Sequence, residues 1–175
     1  MVAVQDIQVK GITPGEGVTL NAKRDTHEIF GVDFSQPRLS AQNAEVQVGP
    51  GTGYNNYYKN SFIMNYSGLS FIDAKFNVAG GEAGQTLLFD MVHLTSMANG
   101  AAGINGYSPI NITINGKKYV FPDGQTTYDP VDGNYKHDRF EVSNYLHEGE
   151  NEIRIGFERD ATTNYWIQSL KLIAG

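Results

Sequence analysis

Apolar side chains recur at every second residue through most of this chain, and that period dictates extended strands rather than helices. The segment Glu152–Glu158 reads E-I-R-I-G-F-E. Ile153, Ile155 and Phe157 alternate with polar neighbours, as in a strand that buries one face. Ile110–Ile114 and Lys117–Phe121 flank Asn115-Gly116. Asn-Gly suits the two-residue type I′ turn because both central residues need positive φ. Register follows from that turn: Ile110, Ile112, Ile114, Tyr119 and Phe121 share one face, and Asn111, Thr113, Lys118 and Val120 share the other. Further strands are predicted at Glu28–Phe34, Ala44–Val48, Ser61–Tyr66, Leu69–Val78, Thr86–Leu94, Phe140–Val142 and Asn164–Ile173, most of them separated by Gly, Asn, Asp or Pro.

No stretch carries a helical apolar stripe for three turns. A single turn around Ser143–Leu146 is the only helical element expected. Many short strands with turn signals between them predict an all-β chain, an antiparallel β-sandwich or barrel. A length of 175 residues fits one domain. Residues 1–25 alternate weakly around Pro14-Gly15 and read as an opening strand pair or a linker within the same domain; residues 26–175 form the sandwich.

A net charge of −6 with no clustered basic face argues against a nucleic-acid partner. The absence of cysteine excludes disulfides, thiolate metal sites and a cysteine nucleophile. No apolar run reaches membrane-spanning length. The first residues lack the pattern of a signal peptide, so an export signal is expected to have been removed or never present. No G-x-S-x-G elbow occurs, and the glycines at Gly80-Gly81 and Gly100–Gly106 open no convincing helix for phosphate. His27, His93, His137 and His147 are scattered, without zinc spacing.

The segment Phe140–Phe157, F-E-V-S-N-Y-L-H-E-G-E-N-E-I-R-I-G-F, resembles an element of jelly-roll sugar-binding domains. There a Y-L-x-x-G-x-N turn leads into an outer strand. Tyr107–Gly116 and Asn164–Leu172 are similar to a hairpin and the closing strand of the same domains. The resemblance covers about residues 86–175 and is to the galactose-binding-domain-like β-sandwich, the jelly-roll carbohydrate-binding module. It implies a non-catalytic domain that binds a neutral or weakly charged polysaccharide. The strands that carry catalysis in jelly-roll lyases are absent, so a small polysaccharide lyase or glycosidase stands as a minority alternative. A structural or adhesive sandwich of a surface protein is the main one.

Aromatic rings cover the apolar faces of pyranoses, while amides bond equatorial hydroxyls. G-Y-N-N-Y-Y-K-N places Tyr54, Asn56, Tyr57 and Tyr58 together in what reads as a loop. These tyrosines suit a sugar, or else pack on their own sheet edge. Tyr107, Tyr128 and Tyr135 also fall in expected loops, and Ala98–Ser108 reads as a long loop over one edge of the sandwich. In the closing strand Trp166 shares parity with Leu170 and Leu172 and is expected in the core; Asn164 and Tyr165 then lie at the surface. The carbohydrate-binding candidates are therefore Tyr54, Asn56, Tyr57, Tyr58, Tyr107, Asn164 and Tyr165. Asp90 and His93 interrupt an apolar strand on opposite faces and need polar partners. A satisfied structural pair is the preferred reading over a contact to ligand.

Many modules resembling this one hold a structural calcium, so the resemblance admits one here. Asp129, Asp132 and Asn134, in D-P-V-D-G-N, supply three oxygen side chains beside a turn glycine. Glu28 and Asp33 with Glu158 or Asp160 are equally conceivable donors. The closing strand reads W-I-Q where calcium-binding relatives often place an acid. The resemblance further implies an extracellular or cell-surface location and admits a catalytic module as a neighbour in a longer parent protein.

Overall fold

A computed structural model of the chain describes residues 27–56, 59–66, 69–96 and 106–175. The expected N-terminal strand pair or linker, Tyr57, Tyr58 and most of the Ala98–Ser108 loop lie outside the described residues.

Two antiparallel sheets face each other. One comprises β1 (His27–Asp33), β2 (Ser40–Gln42), β4 (Thr52–Asn55), β5 (Ser61–Met64), β7 (Leu87–Leu94), β10 (Lys136–Glu141) and β12 (Tyr165–Ala174). Its order is β10-β7-β12-β1-β2, and β5, paired with β4, adds to the early half of β12. The other sheet runs β3 (Ala44–Val48), β6 (Phe71–Val78), β11 (Gly149–Phe157), β8 (Ile110–Ile114), β9 (Lys117–Lys118). The chain crosses repeatedly between the two sheets, a jelly-roll sandwich. One helical turn (Gly80–Ala83) follows β6, where Glu82 Oε1 accepts the backbone N–H of Ala79. The expected turn around Ser143 is a short 3₁₀ element, Ser143–Tyr145.

The alternation read from the sequence is the packing pattern. Ile110, Ile112, Ile114, Tyr119 and Phe121 are buried while Val120 is exposed. Ile153 and Ile155 meet Ile72 and Ala74 across β6 and Ile112 and Ile114 across β8. Each of these buried isoleucines contributes about 1.5–3 kcal/mol relative to exposure. Phe30 of one sheet packs on Phe76 of the other at a ring-centroid distance of 4.5 Å. Asn115 and Gly116 both have positive φ, 51° and 82°, as a type I′ turn demands.

The Y-L-x-x-G-x-N segment owes its shape to two residues. Gly149 sits at φ 96°, where other residues are strained. Asn151 is buried: its Nδ2 donates to the carbonyls of His147 and Gly149, and its Oδ1 accepts from His147 N–H and Asn115 Nδ2. The turn entering β11 is thereby tied to the Asn-Gly hairpin.

The closing strand departs from strict alternation. Between Ile167 and Ser169 the pairing with β7 shifts, with Gln168 as the extra residue. Gln168 O accepts the N–H of Phe34, and its Nε2 donates to Asn60 O. Parity reverses across this bulge, so Tyr165 and Ile167 join Leu170 and Leu172 in the main core. Trp166 is buried on the opposite face in a second cluster with Leu94, against which Ile63 and Tyr135 pack. The expectation of a surface Tyr165 is thus corrected, and Trp166 is buried as expected but not with Leu170.

Candidate functional site

The two polar residues of β7 are satisfied, though not by each other. His93 points inward and has no exposure. Asp138 of β10 has only acceptors while ionised, so His93 Nε2–H donates to its Oδ2 at 2.7 Å. Nδ1 then accepts from the Tyr165 hydroxyl at 2.9 Å. Tyr128 donates to the same Asp138 oxygen at 2.7 Å and stacks on the imidazole, 4° from parallel. Lys136 is the cross-strand neighbour of His93 on β10. Burial holds the His93 pKa below its ordinary 6.5, against the pull of Asp138. Burial alone would raise Asp138, but the hydrogen bonds from His93 and Tyr128 win and keep it lowered. Asp90 points outward, where His137 Nε2 (2.9 Å) and Arg139 Nε (2.7 Å) reach its Oδ2.

A stability profile follows from these directions. The unfolded chain protonates His93 near pH 6.5 while the folded chain resists, so the unfolded state binds more protons in acid. The His93 contribution is complete above that pH and declines below it. Loss of the Asp138 contribution follows at lower pH, as its carboxylate is protonated below the ordinary value of 3.8. The Asp129 carboxyl, pushed up to about 6 by burial, acts in the opposite sense over the same range, so melts between pH 8 and 4 are read as a difference: His93→Gln should lower Tm at pH 8 and lose less Tm on acidification than wild type does. An unchanged slope in the variant would count against this assignment.

Of the predicted sugar-binding residues, Tyr54 lies on β4, a strand rather than a loop, half-buried, with its hydroxyl donating to Asn60 Oδ1 at 2.9 Å. Asn56 is exposed at the adjoining hairpin tip. Tyr107 is 58% exposed, and its backbone is pinned on both sides: its N–H donates to Thr162 Oγ1, and its carbonyl accepts from the N–H groups of Thr162 and Thr163. Asn164 is half-buried, and its Oδ1 accepts from Tyr66 N–H at 3.4 Å. Tyr107, Tyr66 and Asn164 therefore gather at the end of the sandwich where β12 begins. Tyr54 and Asn56 belong to the hairpin that meets β12 at Gln168, roughly 13 Å further along that strand. Tyr128 and Tyr135 are taken up by structure, Tyr128 on His93 and Tyr135 by donating to Ser61 Oγ.

The three oxygen donors suggested for calcium do not converge. Asp132 forms a turn with the N–H of Asn134 and pairs with Lys136, and Asn134 Nδ2 donates to the Asp132 carbonyl. Asp129 turns away to Ser108, whose N–H is 3.4 Å from Oδ1, and burial pushes its carboxyl up to about 6. Asp132 thus has Lys136 as its cationic partner, and Asp129 and Asn134 are engaged elsewhere. Among the described residues no group of three His, Cys, Asp or Glu side chains is placed to hold a metal ion.

The outer face of the seven-stranded sheet brings Glu28, Asp33 and Asp90, named above from the sequence, together with residues that sequence reasoning did not select. Pairing puts Arg139, Asp90, Lys171, Gly31 and Gln42 in one row across five strands. The next row is His137, Val92, Ser169, Asp33 and Ser40. Where β12, β1 and β2 adjoin, a groove of about 360 Å³ opens, lined by Glu28, Gly31, Asp33, Ser40, Gln42, Ser169 and Lys171 among others. Asp33 is held by Ser35, whose N–H and hydroxyl both donate to Oδ1. Lys171 Nζ lies 3.7 Å from Glu28 Oε1. The signal available in the sequence was polar alternation, Gly31 and Asp33 around Val32 and Lys171 between Leu170 and Leu172.

No family model matches the sequence, and no curated protein matches it. Solved structures do share its fold. The CBM36 carbohydrate-binding module in complex with calcium and xylotriose superposes with a TM-score of 0.54 at 12% identity, over 81% of this chain and 98% of that one. The CBM22-1 xylan-binding domain from Paenibacillus barcinonensis gives 0.50 at 11% identity, over 87% and 97%. A family 29 carbohydrate-binding module gives 0.50 at 15% identity, over 87% and 91%. At such identities the likeness is one of fold: the chain has the jelly-roll sandwich of carbohydrate-binding modules.

Proposed function

We propose that this domain is a non-catalytic polysaccharide-binding module. The observation that carries the reading is Tyr107, an exposed ring on a backbone fixed by Thr162 and Thr163, with Asn164 close by at the same loop edge. A ring held in place stacks on a pyranose at little entropic cost, and amides bond its hydroxyls. Tyr54 and Asn56 of the β4–β5 hairpin, with Tyr57 and Tyr58 next to them in sequence, are proposed to extend the contact to a longer chain. Tyr165 has no part in it, being buried. The likeness to modules whose names record xylotriose and xylan supports a polysaccharide as ligand. A structural calcium belongs to the same proposal, supported by the CBM36 module whose complex contains one; a rise in Tm with calcium that a chelator reverses would reveal it. An extracellular or cell-surface location, and a catalytic module elsewhere in a longer parent, belong to the same proposal. Among the described residues no helix is long and apolar enough to cross a membrane.

Incubation with soluble polysaccharides tests both halves of the reading. The domain should bind without releasing reducing ends or unsaturated products. Product release would move it to the lyase or glycosidase class.

A further inference from the structure

We infer that β3 is an interface to a second copy of this chain: two copies pair antiparallel along Ala44–Val48, centred on Val46, and join their five-stranded sheets into one. The inference is independent of the polysaccharide-binding reading and goes beyond it. β3 ends its sheet and pairs with β6 alone. Gly49 fixes which residues bond to β6, because its N–H donates to the carbonyl of Phe71, one step beyond the Val48–Ile72 pair. Bonded and unbonded pairs alternate along an antiparallel ladder. Gln47 and Glu45 therefore bond to Asp73 and Lys75, while Ala44, Val46 and Val48 turn their N–H and C=O groups outward. Among the described residues no other partner takes those groups. A copy centred on Val46 takes all of them: Val46 bonds its own counterpart, and Ala44 bonds Val48 at either end.

The side chains select the same register. Glu45 then faces Gln47 of the other copy on the solvent side, a carboxylate beside an amide donor. A shift of two residues one way sets Glu45 against its own counterpart, and like charges directly opposite destabilise a sheet. The opposite shift sets Ala44 against Pro50, which has no N–H to give. On the inner side Ala44 and Val46 are half-buried against the core, and Val48 is 40% exposed. The second copy's own Ala44, Val46 and Val48 would extend and cover that apolar row. The other edges are guarded. β10 reads K-H-D-R-F-E, β9 is two lysines, and β2 and β4 have three and four residues. Charge and shortness keep sheet edges from pairing, whereas β3 has five residues, a single charge and no proline. Val48 lies level with Ile72, Ile155 and Ile112, towards the Tyr107 end of the sheet. Antiparallel pairing thus points the two Tyr107 ends in opposite directions.

The test is sedimentation velocity of the whole chain from micromolar to millimolar concentration, without polysaccharide. Wild type should pass reversibly from monomer to dimer over that range. Gln47→Lys places an ammonium opposite Glu45 twice per dimer and should tighten association by about threefold or more. Gln47→Glu should weaken it by a similar factor. Val48→Pro removes an outward N–H and no bond to β6, and should abolish the dimer with a melting temperature close to wild type. Gln42→Lys, the same charge change at an exposed position on the other sheet, should leave association unchanged. A monomer at every concentration would overturn the inference. A dimer indifferent to the Gln47 and Val48 variants would overturn β3 as its place, and an equal gain in Gln42→Lys would overturn the register. If Gln47→Glu melts early, beside Asp73, Gln47→Lys decides, because unfolding cannot produce a tighter dimer.

Discussion

Replacing Asp138 with alanine should destabilise the sandwich by about 3–4 kcal/mol, because it leaves the buried His93 N–H and the half-buried Tyr128 hydroxyl without their acceptor. His93 Nε2–H and the Tyr128 hydroxyl both end on Asp138 Oδ2. Neither donor has a second acceptor within the network, since Tyr165 is itself a donor to His93. In a domain of this length that loss lowers Tm by roughly 6–16 °C. Asp138→Asn keeps one acceptor oxygen and should lose less. The damage should concentrate between β10 and β7, where Lys136 to Glu141 pair with His93 to Leu88. Hydrogen exchange on those strands in the variant checks the location. A Tm within about 2 °C of wild type would show that water replaces the carboxylate and that the network is not a structural keystone.

The second large effect is on binding. Tyr107→Ala should weaken polysaccharide affinity by tenfold or more and leave Tm nearly unchanged. The ring is exposed and its backbone is held by Thr162 and Thr163 whatever the side chain. Tyr107→Phe should bind almost as well as wild type if stacking dominates. Tyr54 is a less clean probe, because its hydroxyl bonds to Asn60 and the ring is half-buried. Isothermal titration with an oligosaccharide of the best-retained polymer measures the difference.

Most strands and the hairpin register were legible because burial on one face imposes period two, and a slip of one residue would expose the whole apolar set. Asn115-Gly116 and Gly149 were legible because their backbone angles exclude most other residues. The start of β10 was not, since K-H-D-R places Asp138 and Lys136 at the inward positions where an apolar residue was sought. β4 was hidden for a related reason: T-G-Y-N has turn composition, and only pairing with β5 extends it. Tyr165 was assigned to the wrong face because parity was carried through Gln168. The bulge arises where β1 and β5 both flank β12, a meeting of segments remote in sequence. The groove was invisible for the same cause, as Gly31 opposes Lys171 across most of the chain length. Its polar residues could be seen to face outward, but not which outward face they shared.

The most direct measurement is migration of the wild-type chain in native gels cast with and without neutral polysaccharides. The account predicts retardation by at least one of them, growing with polymer concentration and reversed by its free oligosaccharide. Unchanged mobility in every gel, with the chain shown to be folded, would contradict it.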